Sequence, residues 1–152
     1  MNILFICTGN TCRSPMAAGI FEKILDEKNL TGLNVSSAGI SADNTSRATQ
    51  NAIKVCEAIN VDLRNHVSRS IFDVNLNAVD KFVVMTQMHR SFLLNLGVKS
   101  EKIFVLGGQI SDPFGGNLEV YAQCRDQIYS ALREFIENLN LGDDNAGHKA
   151  EF

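Results

Sequence analysis

No run of about 18 apolar residues, the length a helix needs to cross a bilayer, occurs anywhere in the chain, so a membrane span is not expected. Positive charge is not in excess either. Lys and Arg number 14 against 17 Asp and Glu, and the net charge is −3. A chain without a global basic field is not expected to take nucleic acid or a membrane surface as partner, so any anion site must be built locally. The opening residues, Met-Asn-Ile-Leu-Phe-Ile, lack a basic stretch and a small-residue cleavage site, so a secretory leader is not expected. Internal repeats are missing, and so is any linker. Cysteine is sparse: Cys7, Cys12, Cys56 and Cys124. An even count can mean a disulfide framework in a short secreted chain. Without a leader, free thiols in a reducing cytoplasm are expected instead.

What is present is enough for one domain of 152 residues. Short apolar runs at 2–6, 33–36, 82–85 and 103–106 read as buried strands. Helical periodicity marks 14–26, 45–60, 87–96 and 118–139, and 71–78 reads as a short helix. Ser14 followed by Pro15 looks like an N-cap with proline at the first helical position. Strands alternating with helices predict an α/β fold: a single-domain three-layer sandwich, its four-stranded parallel sheet covered by helices on both faces. The domain is expected over 1–140. The remainder, 141–152, is polar and aperiodic and is expected to be a disordered tail.

Open parallel sheets hold ligands at the carboxyl ends of their strands. The first strand runs into Cys7-Thr8-Gly9-Asn10-Thr11-Cys12-Arg13-Ser14-Pro15, a C-x5-R-S pattern between a strand and a helix start. The bare pattern arises by chance about 0.2 times in a chain of this composition, so its context carries the weight. A loop entering a helix offers unpaired amides and the positive end of the helix dipole, which together suit an anion. Gly9 and Asn10 tolerate the left-handed backbone such a cradle needs. Arg13 supplies a planar fork matched to two phosphate oxygens. The same positive field is expected to lower the pKa of Cys7 and make it a nucleophile, with Ser14 donating to the sulfur as it leaves. Thr8 through Ser14 thus form the expected phosphate-binding loop.

Phosphate removal also needs a proton donor for the leaving group. Asp112, in Ser111-Asp112-Pro113-Phe114-Gly115-Gly116 after the fourth strand, is the candidate. The loop by itself reads equally as a turn with Asp before Pro.

The segment Cys7–Pro15 resembles the C-x-G-N-x-C-R-S-P signature of the low-molecular-weight protein-tyrosine-phosphatase family. Ser36-Ser37-Ala38-Gly39 is similar to the family's S-A-G segment, His66-Val67-Ser68-Arg69 to its H-x-S/A-R segment, and Asp112-Pro113-Phe114 to its D-P-F/Y loop. The resemblance implies that Cys7 forms a phosphocysteine intermediate on phosphorylated protein substrates and that inorganic phosphate is the product. It implies that Asp112 acts first as acid and then as base, and that Asn10, braced by Ser37 and His66, holds the loop. No metal or cofactor is implied. Thr11 and Phe114 are the expected specificity residues. Phosphotyrosine members commonly carry Ile or Leu where this chain has Thr11, and C-T-G-N-T-C-R-S is similar to the bacterial protein-arginine phosphatases, so phosphoarginine is the favoured substrate and phosphotyrosine the alternative.

Cys12 has two readings, a partner for oxidised Cys7 or packing beneath the loop. Cys56 and Cys124 are expected in the core. The charged stretch Arg125, Asp126, Arg133, Glu134 and Glu137 reads as solvated helix surface. An arsenate reductase would be similar in its loop, but relays electrons through further cysteines after the third strand, where residues 85–91 contain none. A phosphocysteine carrier would need neither Arg13 nor Asp112, and a catalytically dead binding module would be expected to have lost one of these groups.

Overall fold

The computed structural model describes residues 1–139. Four parallel strands, β1 (Asn2–Cys7), β2 (Asn34–Gly39), β3 (Lys81–Val84) and β4 (Ile103–Val105), lie in the order β2-β1-β3-β4. Four helices connect and cover them: α1 (Arg13–Glu27), α2 (Gln50–Glu57), α3 (Gln87–Asn95) and α4 (Leu118–Glu137). The α/β layered architecture is as expected from the sequence. The proposed boundary at 140 and the tail beyond it lie outside the described residues. No described helix is long and apolar enough to cross a membrane.

The central strand shows why its apolar run has no polar face. Every residue of β1 is buried. Ile3, Phe5 and Cys7 join one core cluster, with residues of α1, α2 and α4. Leu4 and Ile6 point the other way, into a second cluster with Ile71, Val79, Phe82, Val84 and Leu93. Side chains alternate across a strand, so a strand covered on both faces must be apolar throughout. The period also decides where the nucleophile candidate goes: Cys7 shares the face of Ile3 and Phe5, beneath which α1 and α4 pack.

Several expected boundaries shift. The strand β1 includes Cys7, which pairs with Gly39. Ser14 is not the N-cap of α1. Cys12 occupies that position and caps nothing with its side chain, while Ser14 lies one residue inside the helix. Pro15 therefore sits third in the helix, still within the first turn, where no amide bond is lost. The helix expected over 45–60 is shorter, because Thr49 accepts from the Ala52 amide and caps α2 there. The 71–78 stretch forms two separate 3-10 turns, Ile71–Asp73 and Leu76–Ala78.

Candidate active site

The loop from Cys7 to Arg13 sits at the carboxyl edge of β1, and its carbonyl groups are turned outward. The Cys7 and Thr8 carbonyls accept from the amides of Ile40 and Ser41, at 3.0 and 2.9 Å. The Thr11 carbonyl accepts from the Thr49 amide at 3.0 Å. The Asn10 carbonyl accepts from His66 Nε2 at 2.7 Å, which fixes that ring nitrogen as the protonated one. With the carbonyls engaged outside, the amides of Gly9, Thr11, Cys12 and Arg13 find no acceptor among the described residues. This is the ring of donors an oxyanion requires.

Asn10 holds the ring in shape. Its φ of 56° is left-handed, and it is fully buried. Its side-chain oxygen accepts from the Arg69 amide at 2.9 Å. Its side-chain nitrogen donates to Ser14 Oγ at 2.7 Å and to Ser37 Oγ at 2.9 Å. The segment 36–39 and the segment 66–69 thus converge on one side chain. Gly39 leaves room for the loop: a Cβ there would stand 2.5 Å from the Thr8 carbonyl oxygen and 2.9 Å from the Asn10 amide nitrogen.

Cys7 lies 2.9 Å from Ser14 Oγ. Since that oxygen already accepts from Asn10, its own proton is free to go to the sulfur. The Asn10 amide also donates to the sulfur, at 3.3 Å. Burial pushes the Cys7 thiol up, opposed by the Ser14 hydroxyl, the Ser14 amide, the Arg13 guanidinium and the Asn10 amide. The expected lowering is corrected to that extent. The positive field is present, but Cys7 is only 3% exposed and loss of water outweighs the field.

Arg13 is buried, and its Nη1 donates to the Ile110 carbonyl at 3.0 Å. Its Nη2 stands 3.6 Å from Asp112 Oδ2. The other Asp112 oxygen accepts from the Phe114 amide at 3.1 Å, a local turn that pins the half-exposed carboxylate over the loop. Cys7, Thr8, Gly9, Thr11, Cys12, Arg13, Asp112 and Phe114 line one hollow of about 230 Å³. A larger hollow of about 280 Å³, lined by Ile53, Glu57, Val61 and Arg64, carries no nucleophile.

The thiols of the remaining cysteines are directed into the packing around the site or into the core. Cys56 and Cys124 are buried, on α2 and α4, and burial pushes both thiols up to about 12. Cys12 packs beneath the loop, its sulfur 3.3 Å from the Tyr121 hydroxyl and 3.5 Å from Thr49 Oγ1. All four thiols are free. The charged stretch on α4 is not all solvated surface. Arg125 Nη1 donates to the Val55 carbonyl at 2.9 Å, tying α4 to α2.

Two polar neighbours escaped the sequence reading. Tyr121 shares the buried face of Cys124 and Ile128, so its periodicity signals core and conceals the hydroxyl's contact with Cys12. His89 is fully buried in the first turn of α3, and its Nε2 lies 3.0 Å from Thr8 Oγ1. Thr86 three residues earlier marks a helix start in the sequence, but nothing local points at Thr8.

A buried cysteine at the floor of an amide ring, an arginine beside it and a carboxylic acid over it define a cysteine-dependent phosphatase built on a parallel sheet. The low molecular weight phosphotyrosine protein phosphatase description matches residues 2–144. A protein-arginine-phosphatase of Bacillus subtilis is 35% identical over 147 residues, covering 91% of this chain and 97% of the other. The solved YwlE arginine phosphatase, a cysteine-to-serine mutant with a phosphorylated active-site serine, superposes with a TM-score of 0.87 at 32% identity, covering 97% of this chain and all of the other. An arsenate reductase of Staphylococcus aureus is 34% identical over 135 residues, covering 88% of this chain and 94% of the other. The chain belongs to the low molecular weight phosphotyrosine protein phosphatase family.

Proposed function

We propose that this chain removes phosphate from arginine side chains of proteins in the cytoplasm, with Cys7 as nucleophile, Arg13 as phosphate clamp and Asp112 as proton donor. In the first step the phosphoryl dianion settles on the loop amides and takes up the Cys7 proton. The sulfur attacks phosphorus as the P–N bond breaks, and protonated Asp112 gives its proton to the departing guanidine nitrogen. In the second step the Asp112 carboxylate takes a proton from water. The water oxygen attacks phosphorus, the S–P bond breaks, and Ser14 donates to the released thiolate. Inorganic phosphate leaves. Asn10, Ser37 and His66 keep the loop in shape throughout.

The observation that carries the arginine preference is Thr11. Thr11 lines the hollow with Asp112 and Phe114, and among the described residues its hydroxyl has only a 3.8 Å contact with the Cys12 sulfur. A small hydroxyl with bonding capacity to spare suits a guanidinium next to the phosphorus, where a branched apolar side chain suits a flat phenyl ring. Phe114 is exposed and offers an apolar wall to the substrate's stem. The arsenate reductase reading finds no support in Cys56 or Cys124, whose helices keep both thiols in the core. Four free thiols accord with a reducing cytoplasm.

The test is the ratio of kcat/KM for a phosphoarginine peptide to that for a phosphotyrosine peptide. The ratio is expected to exceed one for the wild type and to fall by about 10-fold or more in Thr11→Ile, the scale of one buried hydrogen bond. An unchanged ratio removes Thr11 from specificity.

A further inference from the structure

The buried imidazole of His89 bridges two hydroxyls. Nδ1 lies 3.1 Å from Thr86 Oγ1 and Nε2 lies 3.0 Å from Thr8 Oγ1. The Thr86 oxygen also accepts from the His89 amide at 3.3 Å, as the cap of α3. Having accepted that bond, the Thr86 hydroxyl has its own proton to place, and Nδ1 is the acceptor beside it. Neutral imidazole carries one ring proton, so with Nδ1 accepting, the proton is on Nε2 and is donated to Thr8. The Thr8 oxygen then accepts from the ring, and its hydroxyl proton is released toward the hollow that Thr8 lines with Cys7, Arg13 and Asp112.

We propose that His89 is a positioning residue of the phosphate site: as the neutral Nε2–H tautomer it holds Thr8 Oγ1 as an acceptor, so that the Thr8 hydroxyl donates to a phosphoryl oxygen. The opposite tautomer would draw the Thr8 proton onto Nε2 and turn hydroxyl lone pairs toward the anion. The order of donors runs from the α3 amide through Thr86, His89 and Thr8 to the substrate, so α3, which lies across the sheet from α1, also contributes to the site. Burial and the Arg13 guanidinium keep the ring neutral, holding the His89 pKa at about 4, against the opposing pull of the Asp112 carboxylate. This inference rests on the phosphatase reading for its catalytic consequence, but not for phosphate binding.

The experiment combines a ring-nitrogen NMR spectrum of the whole chain with titration by inorganic phosphate and turnover of an aryl phosphate. His89 is expected as the neutral Nε2–H tautomer from pH 6 to 8, with or without phosphate. A neutral Nδ1–H tautomer, or a cation in this range, overturns the proposal. Thr8→Val and His89→Phe should each weaken phosphate binding and lower kcat/KM by about 10-fold, the scale of one hydrogen bond to a charged acceptor. The double variant should lose no more than either single one, and His89→Gln, which keeps a donor, should recover part of the loss. Losses that multiply in the double variant overturn the proposal. The wild-type tautomer decides the matter even if His89→Phe does not fold. If the wild type binds phosphate but turns over no aryl phosphate, the enzymatic reading fails while the binding data still judge His89.

Discussion

At the scale of single residues, the site depends on side chains whose every polar atom has a task. Asn10 is the extreme case, with its amide, carbonyl and both side-chain polar atoms bonded. Asn10→Ala would leave the Arg69 amide and the Ser37 hydroxyl without that partner, leave Ser14 bonded to Cys7 alone, and place a Cβ-bearing residue without side-chain compensation at positive φ. A loss of about 2–4 kcal/mol in urea unfolding is expected, since one to three kcal/mol follows each unsatisfied buried group and some regain water. Full stability in the variant would mean the loop is held by other contacts. Asp112 bears on rate and not on folding, because its carboxylate is half exposed. Asp112→Asn is expected to slow turnover of an aryl phosphate about 10²–10⁴-fold with unchanged stability. An unaltered rate would take Asp112 out of the proton-donor role. Cys7, Asn10 and Arg13 were legible in the sequence because the motif packs the nucleophile, the left-handed position and the clamp into seven consecutive positions, whereas Asp112 was legible only through the resemblance of its D-P-F loop. The direction of the Cys7 shift was not legible. The charges around it can be read from the loop, but burial of the sulfur depends on α1 and α4 closing beneath it.

At the scale of elements, the close fit of β2 to the loop explains the glycine that ends it. Gly39→Ala would press a methyl group into the Thr8 carbonyl and the Asn10 amide. The loop must then shift. Weakened phosphate binding, by about 10-fold or more in a titration, is expected on the scale of one lost charge-assisted bond. Undiminished affinity would show that the loop adapts freely. Element types and order were readable from apolar runs and helical spacing. The ends were not, and each miss has a local cause. Ser14 looked like a cap because its type and the following proline fit one, yet its hydroxyl is claimed by Cys7 and Asn10. The helix expected from 45 starts only after Thr49, because the Thr45 and Ser46 amides are drawn into bonds with Asp43 and Ser68.

At the scale of the whole molecule, the site is assembled from the loops after β1, β2 and β4, together with the start of α3. Sequence order alone does not bring Thr8 to His89 or Cys12 to Tyr121, separations of 81 and 109 residues. Two histidines are held neutral by the fold. Burial lowers His66 against the pull of the Asn10 carbonyl, and lowers His89 to about 4. In the unfolded chain both take up protons below about 6.5. The unfolded state then binds more protons than the folded one, so stability is full above that pH and declines as pH falls toward the folded values. Urea midpoints should therefore drop between pH 7 and pH 5, and His89→Phe should flatten the decline. A midpoint that rises on acidification would contradict the neutral state of both rings.

The most direct test is to mix the wild-type chain with an aryl phosphate or a phosphoarginine peptide, quench it within a single turnover, and map the modified peptide by mass spectrometry. A phosphoryl group on Cys7 is expected, accumulating further in Asp112→Asn with a good leaving group, and absent along with turnover in Cys7→Ala. Turnover that persists in Cys7→Ala, or a phosphoryl group found on another side chain, would contradict a mechanism through the Cys7 sulfur.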